Sequence, residues 1–250
     1  MENGERLRVA TYNVRGCRGM DGQRSEQRIA EVIAALDVDV IGLQELDVNR
    51  ARSAGVDQAA VIAEHLGWHR YFHPAMVMAE EHYGDAILSR YPMRLRQAKV
   101  LPSVTTRLCP ESRAALWAEI ETSRGTLHVI NTHLGLGRRE RLMQAELLAG
   151  PEWLESRDEN QPLVLMGDFN TFPGSAVFRV LTRELRDVRK LVSPSPRLRT
   201  FPTRYPLFAV DHIFVSDLLE VDSISVIRNR QTRIASDHFP LVAHLRPAKS

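Results

Sequence analysis

Six stretches of this 250-residue chain put amides, carboxylates and imidazoles where apolar segments stop: Thr11-Tyr12-Asn13, Leu43-Gln44-Glu45, Asn131-Thr132-His133, Gly167-Asp168-Phe169-Asn170, Val210-Asp211-His212 and Ser236-Asp237-His238. Taken singly, each has an ordinary explanation, because Asp, Asn and Ser are common turn and cap residues that bond to nearby backbone. Together, and in this order, they form a set able to do chemistry. The oxygens of Glu45, Asn13 and Asp237, with no cysteine among them, are hard ligands that suit Mg²⁺ or Mn²⁺ and disfavour zinc. His238 can take a proton from water near neutral pH, and a carboxylate on its other ring nitrogen would fix the tautomer. That combination is the equipment of metal-assisted hydrolysis.

Such groups need rigid elements to aim them. Segments rich in β-branched residues alternate with amphipathic ones, the pattern of sheets covered by helices. The expected strands are Leu7–Tyr12, Val38–Gln44, Ala86–Ser89, Leu116–Glu121, Leu127–Thr132, Pro162–Met166, Val210–Ser216, Ser223–Arg228 and Leu241–Leu245. Between them, Ser25 can cap a helix on which Ile29, Val32, Ile33 and Leu36 follow three-and-four spacing. Asp57–Leu66 reads as a second helix, and Arg138–Leu148 as a third closed by Gly150-Pro151. Leu185–Pro206, with Pro194, Pro196, Pro202 and Pro206 beside Arg197, Arg199 and Arg204, reads as one long loop. No internal repeat is visible.

With 44% hydrophobic residues, the chain can bury a large core, and residues 1–250 fit a single α/β domain. A net charge of +2 permits phosphate-bearing partners but lacks the basic stripe of a protein that tracks along nucleic acid. Cys17 and Cys109 are too few for a disulfide framework or a zinc site, so a reducing compartment is the simpler reading. No apolar run approaches spanning length, and the start of the chain carries no basic-then-apolar signal. The expectation is a cytoplasmic protein without stable membrane insertion.

The ordered set LQE, NTH, GDFN, DH and SDH resembles the endonuclease/exonuclease/phosphatase superfamily, from Thr11-Tyr12-Asn13 to Ser236-Asp237-His238. The resemblance implies a four-layer α/β sandwich, two mixed β-sheets packed face to face with helices outside and the catalytic groups on one edge. It implies Glu45 as main metal ligand with Asn13 nearby, and Asp237 either as a ligand or one step behind. It makes Asp211 the carboxylate that orients His238, with Asp168 positioning water and Asn170 donating to a developing oxyanion. His133 is a phosphate ligand or general acid, as in deoxyribonuclease, sphingomyelinase and 5-phosphatase relatives, which moves the reading away from abasic-site repair. Asn131 is expected to support His133 or the metal loop and to line the substrate site, or else to point away from it.

Three more segments extend the resemblance. Tyr83 to Pro92 is similar to the family's GNAILSRYP-type strand, except that Asp85 stands where Asn is usual. Glu111-Ser112-Arg113 is similar to the EPRGAL-type stretch of bacterial members, so Arg113 is a candidate phosphate clamp, the alternative being an ion pair with Glu111. Thr200-Phe201-Pro202 followed by Pro206 and Asp211 resembles a bacterial branch of small metal-dependent hydrolases. It suggests that Phe201 binds a leaving group where the Pro/Arg loop overhangs the catalytic edge. The function implied is a Mg²⁺-dependent phosphoesterase acting on a phosphodiester or phosphomonoester of a lipid-like or small molecule. The alternatives are a nuclease on DNA or RNA and a catalytically silent phosphate-binding module.

Overall fold

In β1 (Leu7–Asn13), Val9 joins one apolar layer while Ala10 and Tyr12 join another, so a single strand serves two cores by simple alternation. The computed structural model describes residues 6–104, 111–193 and 198–248; Cys109, Pro194, Pro196 and Arg197 lie outside the described residues. From β1 the chain crosses over through α1 (Glu26–Leu36) into β2 (Val40–Val48), which lies parallel to β1. Ser25 Oγ caps α1 by accepting Arg28 N–H, and Asp57 does the same for α2 (Gln58–Leu66) through Ala60 N–H. β3 (His69–Met78) and β4 (Glu81–Ser89) form an antiparallel hairpin beside β2, and β5 (Met93–Val100), β6 (Ala114–Thr122) and β7 (Gly125–His133) then form an antiparallel meander in the other sheet. A second crossover, through α3 (Arg138–Ala149), leads to β8 (Leu163–Asp168), parallel to β7. Then come α4 (Ala176–Leu181), β9 (Arg186–Asp187), β10 (Asp211–Val215), β11 (Leu219–Val226), α5 (Arg230–Ala235) and β12 (Leu241–Pro247).

The strands form two six-stranded sheets in the orders β11-β12-β1-β2-β4-β3 and β5-β6-β7-β8-β10-β9. Each is mixed, with one central parallel pair flanked by antiparallel strands, so the two sheets repeat one pairing scheme that is not visible as repeated sequence. Val9, Val40, Val129, Val164, Met166 and Ile213 fill the space between the sheets. Tyr12, Ile41 and Leu43 pack outward on α1 and α2, while Trp117, Leu165 and Phe214 pack outward in the layer that holds residues of α3 and α4. The layers are therefore helix, sheet, sheet, helix, as expected.

Parity along the strands carries the fold over to the site. Asn13 shares a strand face with Val9, Asn131 and His133 with Val129, Asp168 with Met166, Asp211 with Ile213, and Asp85 with Ile87, all of which point between the sheets. The inter-sheet space is thus apolar along most of its length and polar at one edge.

Several elements differ from expectation. β3 and β5 were not expected; both are partly exposed edge strands, without the apolar alternation that marks a buried one. α4 and α5 have six residues each, too short to show helical period, although Asn229 and Thr232 form a capping box on α5. The Leu185–Pro206 tract is not a plain loop: β9 pairs with β10, a 3₁₀ turn follows at Val188–Lys190, and Leu198 is buried.

His212 faces outward from β10, with its ring centroid 4.7 Å from that of Phe178 and 5.8 Å from that of Phe169. Its Nε2 donates to Thr171 O at 2.8 Å and so ties the loop after β8 to β10. Burial, helped by Arg189, lowers its pKa to about 4. Above its ordinary value near 6.5 the imidazole is neutral both folded and unfolded, and the stability is complete. Between there and about 4, only the unfolded chain takes the proton, so stability falls by about 1.4 kcal/mol per pH unit, about 3 kcal/mol in all. Urea denaturation between pH 7 and pH 4.5 is expected to show a steeper loss in the wild type than in His212→Gln, because His133, whose pKa burial also lowers, contributes to both; equal slopes would refute this role.

Candidate active site

Asp168 is the point where the two sheets meet chemically. Its Oδ2 accepts from Asn13 Nδ2 at 3.1 Å and lies 3.6 Å from His133 Nε2 and 3.7 Å from His238 Nε2. Its Oδ1 accepts the backbone N–H of Asn170 at 2.9 Å, which explains the Asp-Phe-Asn spacing as a local turn around the carboxylate. Gly167 permits this placement in a way the sequence hid: a Cβ there would lie 1.9 Å from the Thr132 carbonyl of the neighbouring strand. The glycine serves the close approach of β8 to β7.

Asn13 holds two acids apart, since its Nδ2 also donates to Glu45 Oε1 at 2.9 Å while its Oδ1 accepts Arg15 N–H at 3.1 Å. Glu45 reaches Asn13 through a bulge. The β2–β4 register shifts between Leu43 and Leu46, and Glu45 adopts φ 65°, a left-handed conformation costly for a residue with a side chain. Consecutive residues Gln44 and Glu45 can then both reach groups between the sheets.

Asn131 is the staple of that bulge. Its Nδ2 donates to Leu43 O at 3.0 Å and to Ala86 O at 2.9 Å, and its Oδ1 accepts from Gln44 Nε2 at 2.7 Å. Gly42 makes room, because a Cβ there would sit 2.5 Å from Asn131 Oδ1. The expected contact of Asn131 with substrate is therefore corrected: the side chain is fully buried and its amide is spent on crossing from one sheet to the other. The same bonds brace the strand that leads into Glu45. Asp85 resolves similarly, as its buried carboxylate accepts Glu45 N–H at 3.3 Å from below the bulge.

His238 Nδ1 donates to Asp211 Oδ2 at 2.9 Å, the pairing expected. Burial works to lower the pKa of His238 and is outweighed by Asp211 and Asp168, which raise it to about 10. Asp211 Oδ1 is buried with no hydrogen-bond partner among the described residues. Phe201 lays its ring 4.7 Å from that of His238, tilted by 38°. Ser236 Oγ donates to Asn13 O at 2.8 Å and so joins the loop before β12 to the end of β1. Asp237 stands at the rim, paired with Arg15 Nε at 3.3 Å.

His133 is neutral, its pKa held well below the ordinary value by burial and then by Arg113, whose Nη1 lies 3.4 Å from its Nδ1. Asn170 Nδ2 is 3.1 Å from His133 Nε2 and donates to Leu134 O at 2.9 Å. Arg113 faces both Glu111 and His133. It is ion-paired to Glu111 at 3.1 Å, yet its guanidinium is buried against His133 with Nε unpartnered among the described residues.

The donor chemistry here fits a divalent cation. Burial pushes Glu45 up, Asp85 to about 8 and Asp168 to about 7, the behaviour of desolvated carboxylates short of positive charge. Asp168, Asp211 and His238 offer ligand atoms within 4.8 Å of one another, a grouping the sequence did not suggest. Sequence reasoning also missed Gln44, Ser236 and Gly42. A glycine inside an apolar strand was the available signal of close approach.

The site thus lies on one edge of a face-to-face sandwich, where buried carboxylates and imidazoles collect. The family model for the endonuclease/exonuclease/phosphatase family matches residues 10–238, and the chain belongs to that family. It is 31% identical over 171 residues to the uncharacterized protein YbhP of Escherichia coli strain K12, a match covering 68% of this chain and 65% of that protein's length. Among solved structures, the endonuclease/exonuclease/phosphatase of Beutenbergia cavernae superposes with TM-score 0.82 at 24% identity, over 97% of this chain and 72% of that one. The mannosyl-6-phosphatase Bt3783 of Bacteroides thetaiotaomicron does so with TM-score 0.72 at 24% identity, over 96% and 99%. At these identities the solved structures share the fold.

Truncating the staple removes the side-chain donors from the Leu43 and Ala86 carbonyls and one acceptor from the Gln44 amide, which keeps Thr11 Oγ1 and Gly42 O. Asn131→Ala is expected to destabilise the protein by roughly 2–4 kcal/mol in urea denaturation, and Gly42→Ala to destabilise it by displacing the same amide; wild-type stability in both would contradict the assignment.

Proposed function

We propose that the protein is a Mg²⁺-dependent phosphoesterase, with Mn²⁺ able to substitute, that hydrolyses a phosphodiester or phosphomonoester by direct attack of water. The observation that carries this reading is the sharing of one Asp168 oxygen by Asn13, His133 and His238, with Asp211 behind His238. Glu45, Asn13 and Asp237 are the residues proposed to hold the cation: Glu45 by its carboxylate, Asn13 by the second lone pair of its amide oxygen, and Asp237 from the rim. When bound, the cation offsets the charge of the clustered carboxylates and polarises a phosphate oxygen.

The remaining steps belong to the chain's own groups. Without a cation, Asp211 and Asp168 hold His238 protonated; with their charge offset by a bound cation, Nε2 would take the proton of a water beside it and Asp168 Oδ2 as that water attacks phosphorus, the new P–O bond forming as the bond to the leaving oxygen breaks. Asp211 keeps the imidazole turned and stabilises the imidazolium. Arg113 and Asn170 stabilise the phosphoryl oxygens, neutral His133 binds phosphate through a ring N–H, and the leaving oxygen takes its proton from solvent. Phe201 packs against His238 where a leaving group would depart. The substrates in view are a lipid-like or small phosphoester and, as the second choice, DNA or RNA. The relatives include a protein described as a mannosyl-6-phosphatase, so the fold alone does not select among them.

Hydrolysis of bis-p-nitrophenyl phosphate should require added Mg²⁺ or Mn²⁺ and stop with EDTA. His238→Ala and Glu45→Ala are expected to lower kcat by roughly 10²-fold to 10⁴-fold, and Asp211→Asn by a similar factor; full activity in either alanine variant would sink the reading. A panel of plasmid, single-stranded DNA, RNA, lysophospholipid and inositol phosphates selects the substrate, and plasmid nicking at low enzyme concentration would move the choice to a nuclease.

A further inference from the structure

Beside His238 the chain doubles back on itself, with Phe201 and Phe208 bridged across the fold: Phe208 N–H donates to Phe201 O at 2.8 Å, and Thr200 N–H to Phe208 O at 2.8 Å. The tip of this hairpin is apolar and unprotected. Tyr205 is 65% exposed and Leu207 60%, while Phe208 packs its ring 5.6 Å from that of Phe172, itself 52% exposed. Phe172 follows directly on the Asp168–Asn170 turn, so the patch is continuous with the catalytic edge. An apolar patch of this kind, next to a site, marks a surface that meets something.

Charge narrows what it meets. Arg199, Arg204 and Arg233 surround the hairpin, and none has a carboxylate within ion-pair distance among the described residues. Elsewhere on the surface arginines such as Arg94, Arg157 and Arg246 are paired. Arg233 instead donates to Thr203 O at 2.8 Å, and Arg204 lies over the Tyr205 ring. Unpaired guanidinium groups around a protruding apolar tip complement an anionic headgroup layer with hydrocarbon beneath it. Stacking on single-stranded nucleic acid would need separate aromatic platforms. Here the two phenyl rings pack on each other, and Leu207 has no ring.

We propose that this hairpin docks the protein on an anionic lipid surface, with Tyr205 and Leu207 entering the interface and the arginines meeting the headgroups. The hairpin is fixed to the catalytic loop, since Thr203 N–H donates to Asp237 O at 2.8 Å and Phe239 N–H to Thr200 O at 2.9 Å. Docking therefore turns the catalytic edge toward the surface. No helix among the described residues is long and apolar enough to cross a membrane, and the docking proposed is peripheral. It needs no turnover and is tested apart from it.

The experiment is co-sedimentation of the protein in EDTA with vesicles of equimolar phosphatidylcholine and phosphatidylglycerol, or of phosphatidylcholine alone. The wild type and the inactive His238→Ala variant are expected to pellet with the anionic vesicles and to stay in solution with the neutral ones. Tyr205→Ser/Leu207→Ser should bind at least about tenfold more weakly, and Arg199→Glu/Arg204→Glu should lose the anionic preference, both with unchanged melting temperature. Wild-type protein left in solution with anionic vesicles, or a double serine variant that pellets like wild type, would overturn the proposal. Binding of an oligothymidylate in place of vesicles, or a dimer in light scattering that the serine variant dissolves, would overturn it in favour of nucleic acid or self-association.

Discussion

Keeping several carboxylates out of water at the edge of a dry interface is the constraint on which this structure turns. Glu45, Asp85, Asp168 and Asp211 all lie where two sheets close on each other, and burial pushes the first three toward their neutral forms. Acids so placed are costly unless each finds donors or positive charge. The donors are backbone N–H groups for Asp85 and Asp168, the Asn13 amide for Glu45 and Asp168, and the His238 imidazole for Asp211. What these donors leave uncompensated suits a cation, whose positive charge would offset that of the carboxylates.

The two sheets share the work unequally. One, through β1 and β2, contributes Asn13 and Glu45; the other, through β7, β8 and β10, contributes His133, Asp168 and Asp211. Relative displacement of the sheets would separate Asn13 and Glu45 from His133, Asp168 and Asp211. Asn131 opposes that displacement, because it grows from one sheet and bonds to two strands of the other. The left-handed conformation of Glu45 is then sustained by the Asn131 bonds above and the Asp85 bond below, which is how strain persists at a site.

Most of the fold was legible where local pattern and burial agree. β1, β6, β7 and the first three helices have apolar periodicity or caps that admit one answer, and they occur close to their expected bounds. Edge strands β3 and β5 were not legible, because hydrogen bonding to a neighbour, and not an apolar face, makes them strands. Within the site, Asp211 and His238 were paired correctly from a resemblance. Asn131 was not, since the two-residue alternation that puts it on the face of His133 says nothing about which partners wait across the gap.

By itself, the sequence determined the chemical inventory and the strand ends that carry it. Asn13, Glu45, His133, Asp168, Asn170, Asp211 and His238 are legible because strand exits and family motifs are local in the chain. Only the tertiary structure decided how they act together. It showed that one oxygen of Asp168 serves three residues, that Asp85 and Asn131 hold the Glu45 bulge, that Phe201 packs on His238, and that a hairpin tip stands exposed beside them. The physical reason is distance in sequence: Asn13 and Asp168 are 155 residues apart, and only the closing of one sheet on the other brings their side chains to 3.1 Å.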